Sequence, residues 1–266
     1  MTGLAGLMSL EGRRAVVTGA AGRLGGVIAG TLAELGASLV LVDKPGSDYG
    51  ALLKDLESVG KSPVETMDCD LELEQDREGL IQRIRLAGSL HVLVNNAAFV
   101  GDSKLTGWST EFERQTVATW RRALEVNLTA VFDLSKGLAG LLRESDGGNI
   151  INVASIYGSY APDYSLYAGT AMGNPAAYAA SKGGMIQLTR WLATTLAPQV
   201  RANAISPGGI LRGQPDIFVK RYEERTPLGR MAREEDFIGA VAYLATDLSR
   251  YVTGQNLAVD GGWGLW

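Results

Sequence analysis

The run Val16-Val17-Thr18-Gly19-Ala20-Ala21-Gly22-Arg23-Leu24-Gly25 decides the fold, because a short apolar stretch feeds a glycine-rich turn that opens into a helical pattern over residues 27–35. Strand, tight turn and helix in that order begin a βαβ unit. Glycines at such a turn let the backbone approach a pyrophosphate, and the helix that follows offers its positive N-terminal end to the anion. A second strand-like run, 38–42, ends at Asp43. That is roughly the twenty residues downstream at which a carboxylate can bond an adenosine ribose.

Outward from this unit the alternation continues. Strand-like runs at 15–18, 38–42, 64–67, 91–94, 149–153, 201–205 and 256–259 are separated by helical patterns at 25–35, 49–58, 75–87, 117–142, 176–196 and 234–246. Parallel strands joined by right-handed helical crossovers account for such spacing. The expectation is an α/β Rossmann fold in a single domain over residues 1–266: a doubly wound parallel sheet of about seven strands with helices on both faces. Gly19, Asp43, Asp70, Asn95, Ser155 and Pro207 all follow strands. They would converge at the carboxyl edge of the sheet, where ligands bind in this architecture.

Tyr178 and Lys182, in Asn-Pro-Ala-Ala-Tyr-Ala-Ala-Ser-Lys-Gly-Gly, stand four apart on a predicted helix and so share one face. A free phenol titrates near pH ~10, and a cation beside it favours the phenolate. The pair is a candidate proton-transfer unit.

With these residues in view the chain resembles the short-chain dehydrogenase/reductase family in its compact form, over residues 10–263. Besides the glycine turn and Tyr178/Lys182, the matching motifs are Asp70-Leu71, Asn95-Asn96-Ala97-Ala98, Asn127 in Glu-Val-Asn-Leu, Ser155 in Asn-Val-Ala-Ser, Ser206-Pro207-Gly208-Gly209-Ile210 and the closing 252–262 segment. The stretch from Ser155 through Ile210 also resembles a subgroup linked to bacterial nonulosonic-acid and flagellin-sugar biosynthesis. The resemblance implies a nicotinamide cofactor held by Gly19, Gly22, Arg23, Leu24, Gly25, Asp43, Asp70, Leu71, Asn95, Ala97, Tyr178, Lys182, Pro207, Gly208 and Ile210. It also implies catalytic roles. Tyr178 would be the acid or base, Lys182 would lower its pKa and hold a ribose, Ser155 would bond the reacting oxygen, and Asn127 would hold a water leading from the lysine.

Asp43 suits a free ribose 2′-hydroxyl and would repel a 2′-phosphate, so NAD is expected over NADP. Lys44 and Arg23 nearby are the residues that could oppose that choice. Three departures from the family pattern bear on the site: glycine at Gly22 with Arg23 following, Arg212 where the family often has threonine, and a 23-residue interval between Ser155 and Tyr178 that exceeds the usual one. The insertion, within 159–177, is rich in tyrosine. A second loop, 211–227, carries Gln214, Asp216, Phe218, Lys220 and Arg221 and is expected to act as a lid. Together they favour a sugar, polyol or sugar derivative over a long acyl chain. The alternatives are an NADPH-dependent 3-oxoacyl-thioester reductase and a non-catalytic cofactor-binding protein.

Composition agrees with one enzyme domain. Charged residues make up 20% and apolar ones 46%, and the net charge of −4 comes with no basic stripe, which argues against nucleic acid. The one cysteine, Cys69, and one histidine, His91, leave no set for a zinc site. Cys69 reads as a buried thiol and His91 as a strand-start residue. Residues 1–9 read as a frayed arm, nothing suggests a membrane span, and a cytoplasmic location is expected. Apolar Met185, Ile186, Leu188, Trp191 and Leu192 exceed one core-facing stripe, so a homotetramer or homodimer is expected, with Trp263 and Trp266 of the tail at a subunit contact.

Overall fold

A computed structural model describes residues 3–59, 62–100 and 105–266. Its centre is one parallel sheet of β1 (Arg14–Thr18), β2 (Ser38–Asp43), β3 (Val64–Asp68), β4 (Val92–Asn95), β5 (Gly148–Val153), β6 (Val200–Pro207) and β7 (Asn256–Val259), in the order 3-2-1-4-5-6-7. The order reverses between β1 and β4, where Val16 lies beside Val40 on one side and Leu93 on the other. A crevice opens at that switch point.

The helices are α1 (Leu4–Met8), α2 (Arg23–Glu34), α3 (Gly50–Val59), α4 (Glu74–Leu86), α5 (Val117–Leu124), α6 (Ala130–Glu144), α7 (Ala176–Thr195), α8 (Asp216–Arg225) and α9 (Ile238–Ala245). Strand alternation divides the core in two. Val16, Val40, Leu93 and Ile150 pack with Leu80 and Ile84 of α4, Leu134 and Leu138 of α6 and Leu192 of α7. Val17, Leu41, Val94 and Ile151 pack on the other face with Ile28 and Leu32 of α2 and Val241 and Leu244 of α9. Each such side chain, fully removed from water, contributes about 1.5–3 kcal/mol. This apolar run on both faces is what a doubly wound sheet requires.

Four expectations need correction. The pattern at 117–142 is not one helix: α5 and α6 are joined by a π turn, Glu125–Thr129, which carries Asn127. The N-terminal arm is wound into α1 and lies against the Asp247–Ser249 turn, held by Leu10, which is fully buried and donates its N–H to Leu35 O at 2.7 Å. The 211–227 loop contains α8, with Phe218 and Tyr222 buried. Trp263 is 1% exposed within the chain's own aromatic cluster, whereas Trp266 remains exposed. Among the described residues no helix is long and apolar enough to cross a membrane.

Candidate active site

A cavity of about 520 Å³ sits over the carboxyl ends of β1, β2, β4, β5 and β6. Its first wall is the glycine turn. Gly19 has φ +66°, and a Cβ there would come within 2.7 Å of Ala97 Cα, so only glycine fits. A Cβ on Gly25 would land on the Gly19 carbonyl oxygen, which explains how closely α2 seats on the turn. Thr18 Oγ1 accepts from the N–H of both Asn96 and Ala97 at 3.1 Å, and Asn96 Nδ2 donates to Thr18 O and Gly19 O. The ends of β1 and β4 are thereby locked together.

Gly22 is the N-cap of α2 and supplies no side-chain cap. The first-turn N–H groups at Arg23, Leu24 and Gly25 have no intrahelical acceptor, and these residues line the cavity. An uncapped positive helix end beside a glycine cradle fits a dinucleotide pyrophosphate. Asp43 lies on the same wall. Its Oδ2 accepts from Ala21 N at 2.9 Å and its Oδ1 from Lys44 N at 2.8 Å, so it also braces the turn. Each oxygen keeps a free lone pair for a ligand hydroxyl.

Burial governs the proton-transfer pair. Lys182 is 2% exposed, donates from Nζ to Val153 O at 2.6 Å, and has its pKa pushed down to about 7 by loss of solvent. Burial likewise raises Tyr178, opposed by the neighbouring Ser155 hydroxyl and by the charge of Arg212. Lys182 Nζ stands 6.0 Å from the Tyr178 ring centre. Arg212, on the cavity wall, is paired with Glu234 at 2.9 Å.

Ser155 caps the Ile156–Gly158 turn, its Oγ accepting from Tyr157 N at 3.2 Å. Asn127, fully buried in the π turn, accepts from Phe99 N at 2.6 Å and donates to Phe99 O and Ser181 Oγ; Ser181 Oγ donates to Tyr178 O. Winding one extra residue is what turns this amide inward, and π turns of this kind concentrate at functional sites.

Gly19, Gly22, Arg23, Leu24, Gly25, Asp43, Leu71, Ala97, Ser155, Tyr178, Lys182, Pro207, Gly208 and Ile210 line the cavity together. Asp70 and Asn95 are not among the residues that line the cavity. Asp70 faces Lys44 at 3.7 Å, and Asn95 Nδ2 bonds Asn152 Oδ1 inside the sheet. Asn95 is the last residue of β4 and turns into the sheet, whereas Asp70 stands two residues past β3. Missed wall residues include Asn96, Val126 and Cys69. Asn96 was visible in its motif beside Asn95; Cys69 is a buried thiol pushed up to about 12 by burial, hence unreactive. His91 accepts from Arg14 N through Nδ1 and takes no part in the cavity.

Beyond Ser155 the inserted loop, α8 and the C-terminal tail interlock. Tyr157, Tyr167, Phe218, Tyr222 and Trp263 form a contiguous aromatic cluster, with Tyr222 and Trp263 stacked at 6.0 Å. Arg225 reaches Asp163 at 2.8 Å and lies over the Trp263 ring at 4.6 Å. The expected lid is thus pinned along its helix. Among the described residues no group of three His, Cys, Asp or Glu side chains could hold a metal.

Glycine cradle, uncapped helix and buried tyrosine-lysine pair define a nicotinamide-dependent oxidoreductase of the doubly wound class. The chain belongs to the short-chain dehydrogenase/reductase family: a family model described as enoyl-(acyl carrier protein) reductase matches residues 19–264. It is 31% identical over 263 residues to a 3-oxoacyl-[acyl-carrier-protein] reductase of Thermotoga maritima, covering 96% of this chain and 99% of that one. It is 35% identical over 258 residues to a cis-4-hydroxycyclohexanecarboxylate dehydrogenase of Sinomonas cyclohexanicum, covering 94% and 96%. A gluconate 5-dehydrogenase of Burkholderia cenocepacia, solved with NADP and tartrate, superposes with a TM-score of 0.85 at 26% identity over 99% of this chain and 100% of that one.

Proposed function

We propose that the protein interconverts a secondary alcohol and a ketone on a small polar substrate, a sugar, polyol or sugar derivative, using NAD. The observation that carries this reading is the convergence of Ser155, Tyr178 and Lys182 on the cavity that also holds Asp43 and the open end of α2. A bound nicotinamide dinucleotide supplies the hydride acceptor or donor. Gly19, Gly22, Arg23, Leu24 and Gly25 would hold its pyrophosphate, Asp43 one ribose and Lys182 the other, with Leu71, Ala97, Pro207, Gly208 and Ile210 shaping the walls.

The chain's own residues then handle the proton. Tyr178 Oη accepts it from the substrate hydroxyl in oxidation and returns it in reduction. Ser155 Oγ bonds the reacting oxygen, where charge changes most. Asn127, through Ser181, fixes the backbone that carries Tyr178. Asp43 supports NAD by repelling a 2′-phosphate, although the gluconate dehydrogenase neighbour carries NADP. The same reading makes the protein cytoplasmic, one functional unit over 1–266, and a homotetramer or homodimer.

The test is reduction of NAD and NADP measured over a panel of sugars, nucleotide sugars and polyols. NAD-linked turnover of a hydroxylated substrate is expected. The Thermotoga maritima relative favours a second reading, NADPH-dependent reduction of a 3-oxoacyl thioester. Faster oxidation of NADPH by acetoacetyl-CoA than any panel turnover would select it.

A further inference from the structure

The loop after β6 puts a cation on the cavity wall with most of its donors open. Arg212 lines the cavity together with Ser155, Tyr178 and Gln214. Its Nε donates to Glu234 Oε1 at 2.9 Å, and neither Nη nitrogen has a hydrogen-bond partner among the described residues. The side chain is 41% exposed, so a ligand can reach the open end of the guanidinium. The other cations of the wall are differently placed. Lys182 Nζ is committed to Val153 O, Lys44 stands 3.7 Å from Asp70, and Arg23 belongs to the first turn of α2, where a dinucleotide pyrophosphate would sit.

The backbone under Arg212 is held from both sides. Arg212 N donates to Gln214 Oε1 at 2.7 Å, and Gln214 Nε2 donates to Ile210 O at 2.7 Å. Leu211 N donates to Ala232 O and Ala232 N to Gly209 O, each at 2.9 Å, which stitches the loop to the segment that leads to Glu234. The guanidinium is thus set in place before a ligand arrives, and donors fixed in advance lose less freedom on binding than a loose side chain does. A planar fork with Nε occupied and both Nη groups open matches a carboxylate, whose two oxygens can accept together. A neutral hydroxyl could fill one of these donors but would leave the charge unmet. The competing anion is the cofactor's own phosphate. The glycine turn and α2 meet it on the β1 side of the sheet, whereas Arg212 follows β6, the neighbour of β5, the strand that leads to Ser155.

We propose that Arg212 is a specificity-determining residue that binds a carboxylate of the substrate, so that the enzyme selects a hydroxy acid of the sugar-acid type over the neutral polyol. The proposal rests on the alcohol dehydrogenase reading of the same site.

The probes are pairs that share a hydroxyl pattern and differ in one carboxylate: gluconate with sorbitol, and xylonate with xylitol. Each is assayed with NAD on the full-length enzyme, and its binding to the enzyme with NAD bound is followed by calorimetry. Wild type should favour the acid of at least one pair by about 10-fold or more in both kcat/KM and affinity, the worth of a hydrogen bond to a charged group. In Arg212→Met that preference should fall to within about threefold of one, through the KM of the acid and with the KM of NAD unchanged. Arg212→Lys, which keeps the charge but not the fork, should retain part of it. A wild-type enzyme that binds the acids no better than the alditols, or an Arg212→Met enzyme that keeps the preference, would overturn the proposal. A loss of NAD affinity with the acid preference intact would overturn it too, and would assign Arg212 to the cofactor phosphates. Tyr178→Phe separates the underlying reading: it should abolish turnover of every probe while the acid still binds in preference, and turnover surviving in it would count against the catalytic assignment, not against Arg212.

Discussion

At the scale of single residues, burial does more than proximity. Tyr178→Phe keeps the ring and removes the proton carrier, so turnover should drop at least about 100-fold with cofactor affinity retained, as equilibrium binding alongside steady-state rates will read. Lys182 makes a separate prediction about stability. Its folded pKa is depressed to about 7 from the ordinary lysine value, so above that pH the unfolded chain holds a proton that the folded chain has released. Stability therefore rises with pH through this window. Relative to Lys182→Met, wild type should gain up to about 1.4 kcal/mol per pH unit between roughly pH 7 and 10, or roughly 3–5 °C in melting temperature. A parallel pair of melting curves over that range would refute the buried-amine assignment. Asp43→Ala should relax the cofactor preference toward NADP, and a wild type already preferring NADP would reverse the assignment. Asp43 was legible in the sequence because it ends a strand beside a glycine turn. Asn95 was read by the same rule and turns into the sheet to bond Asn152, because a strand end fixes a position but not which way its side chain points.

Elements show where local pattern stops being informative. The glycine turn could be read directly, since close packing of Gly19 on Ala97 and of Gly25 on Gly19 leaves no room for a side chain. The π turn could not: apolar spacing continues through 117–142 with no glycine or proline at 125–129 to mark it, and the extra residue is fixed by hydrogen bonds to Phe99 and Ser181 from distant elements. Asn127→Ala removes an amide that serves the Phe99 N–H and C=O together and leaves both buried groups wanting. It should cost about 2–4 kcal/mol in denaturant unfolding and slow turnover as well, because the Ser181 link to the Tyr178 backbone loses its anchor. Unchanged stability would mean that the π turn is held by helix packing alone. The inserted loop was legible as tyrosine-rich but not as a packed cluster, because its partners, α8 and Trp263, come from segments far along the chain.

For the whole molecule, the outer face of the helices is the feature that one chain leaves unresolved. Met185, Ile186 and Leu192 of α7 are used inside the chain, so the excess foreseen from composition shrinks to Trp191, which is 53% exposed, with Trp120 and Phe132 also open on α5 and α6. Large aromatic side chains in water on neighbouring helices mark an association surface better than they mark a free one. The tail contributes differently from expectation: Trp263 fills the aromatic cluster under α8 within its own chain, with Arg225 over its ring. The discriminating change is Trp191→Glu, which places a charge on the exposed face and touches neither cavity nor cluster. Wild type should sediment as a tetramer or dimer at micromolar concentration, and Trp191→Glu should shift it toward smaller species with little change in the circular dichroism of the fold. A wild-type monomer, or a variant whose assembly is unaltered, would remove α7 from the interface and leave the exposed tryptophans without a structural reason.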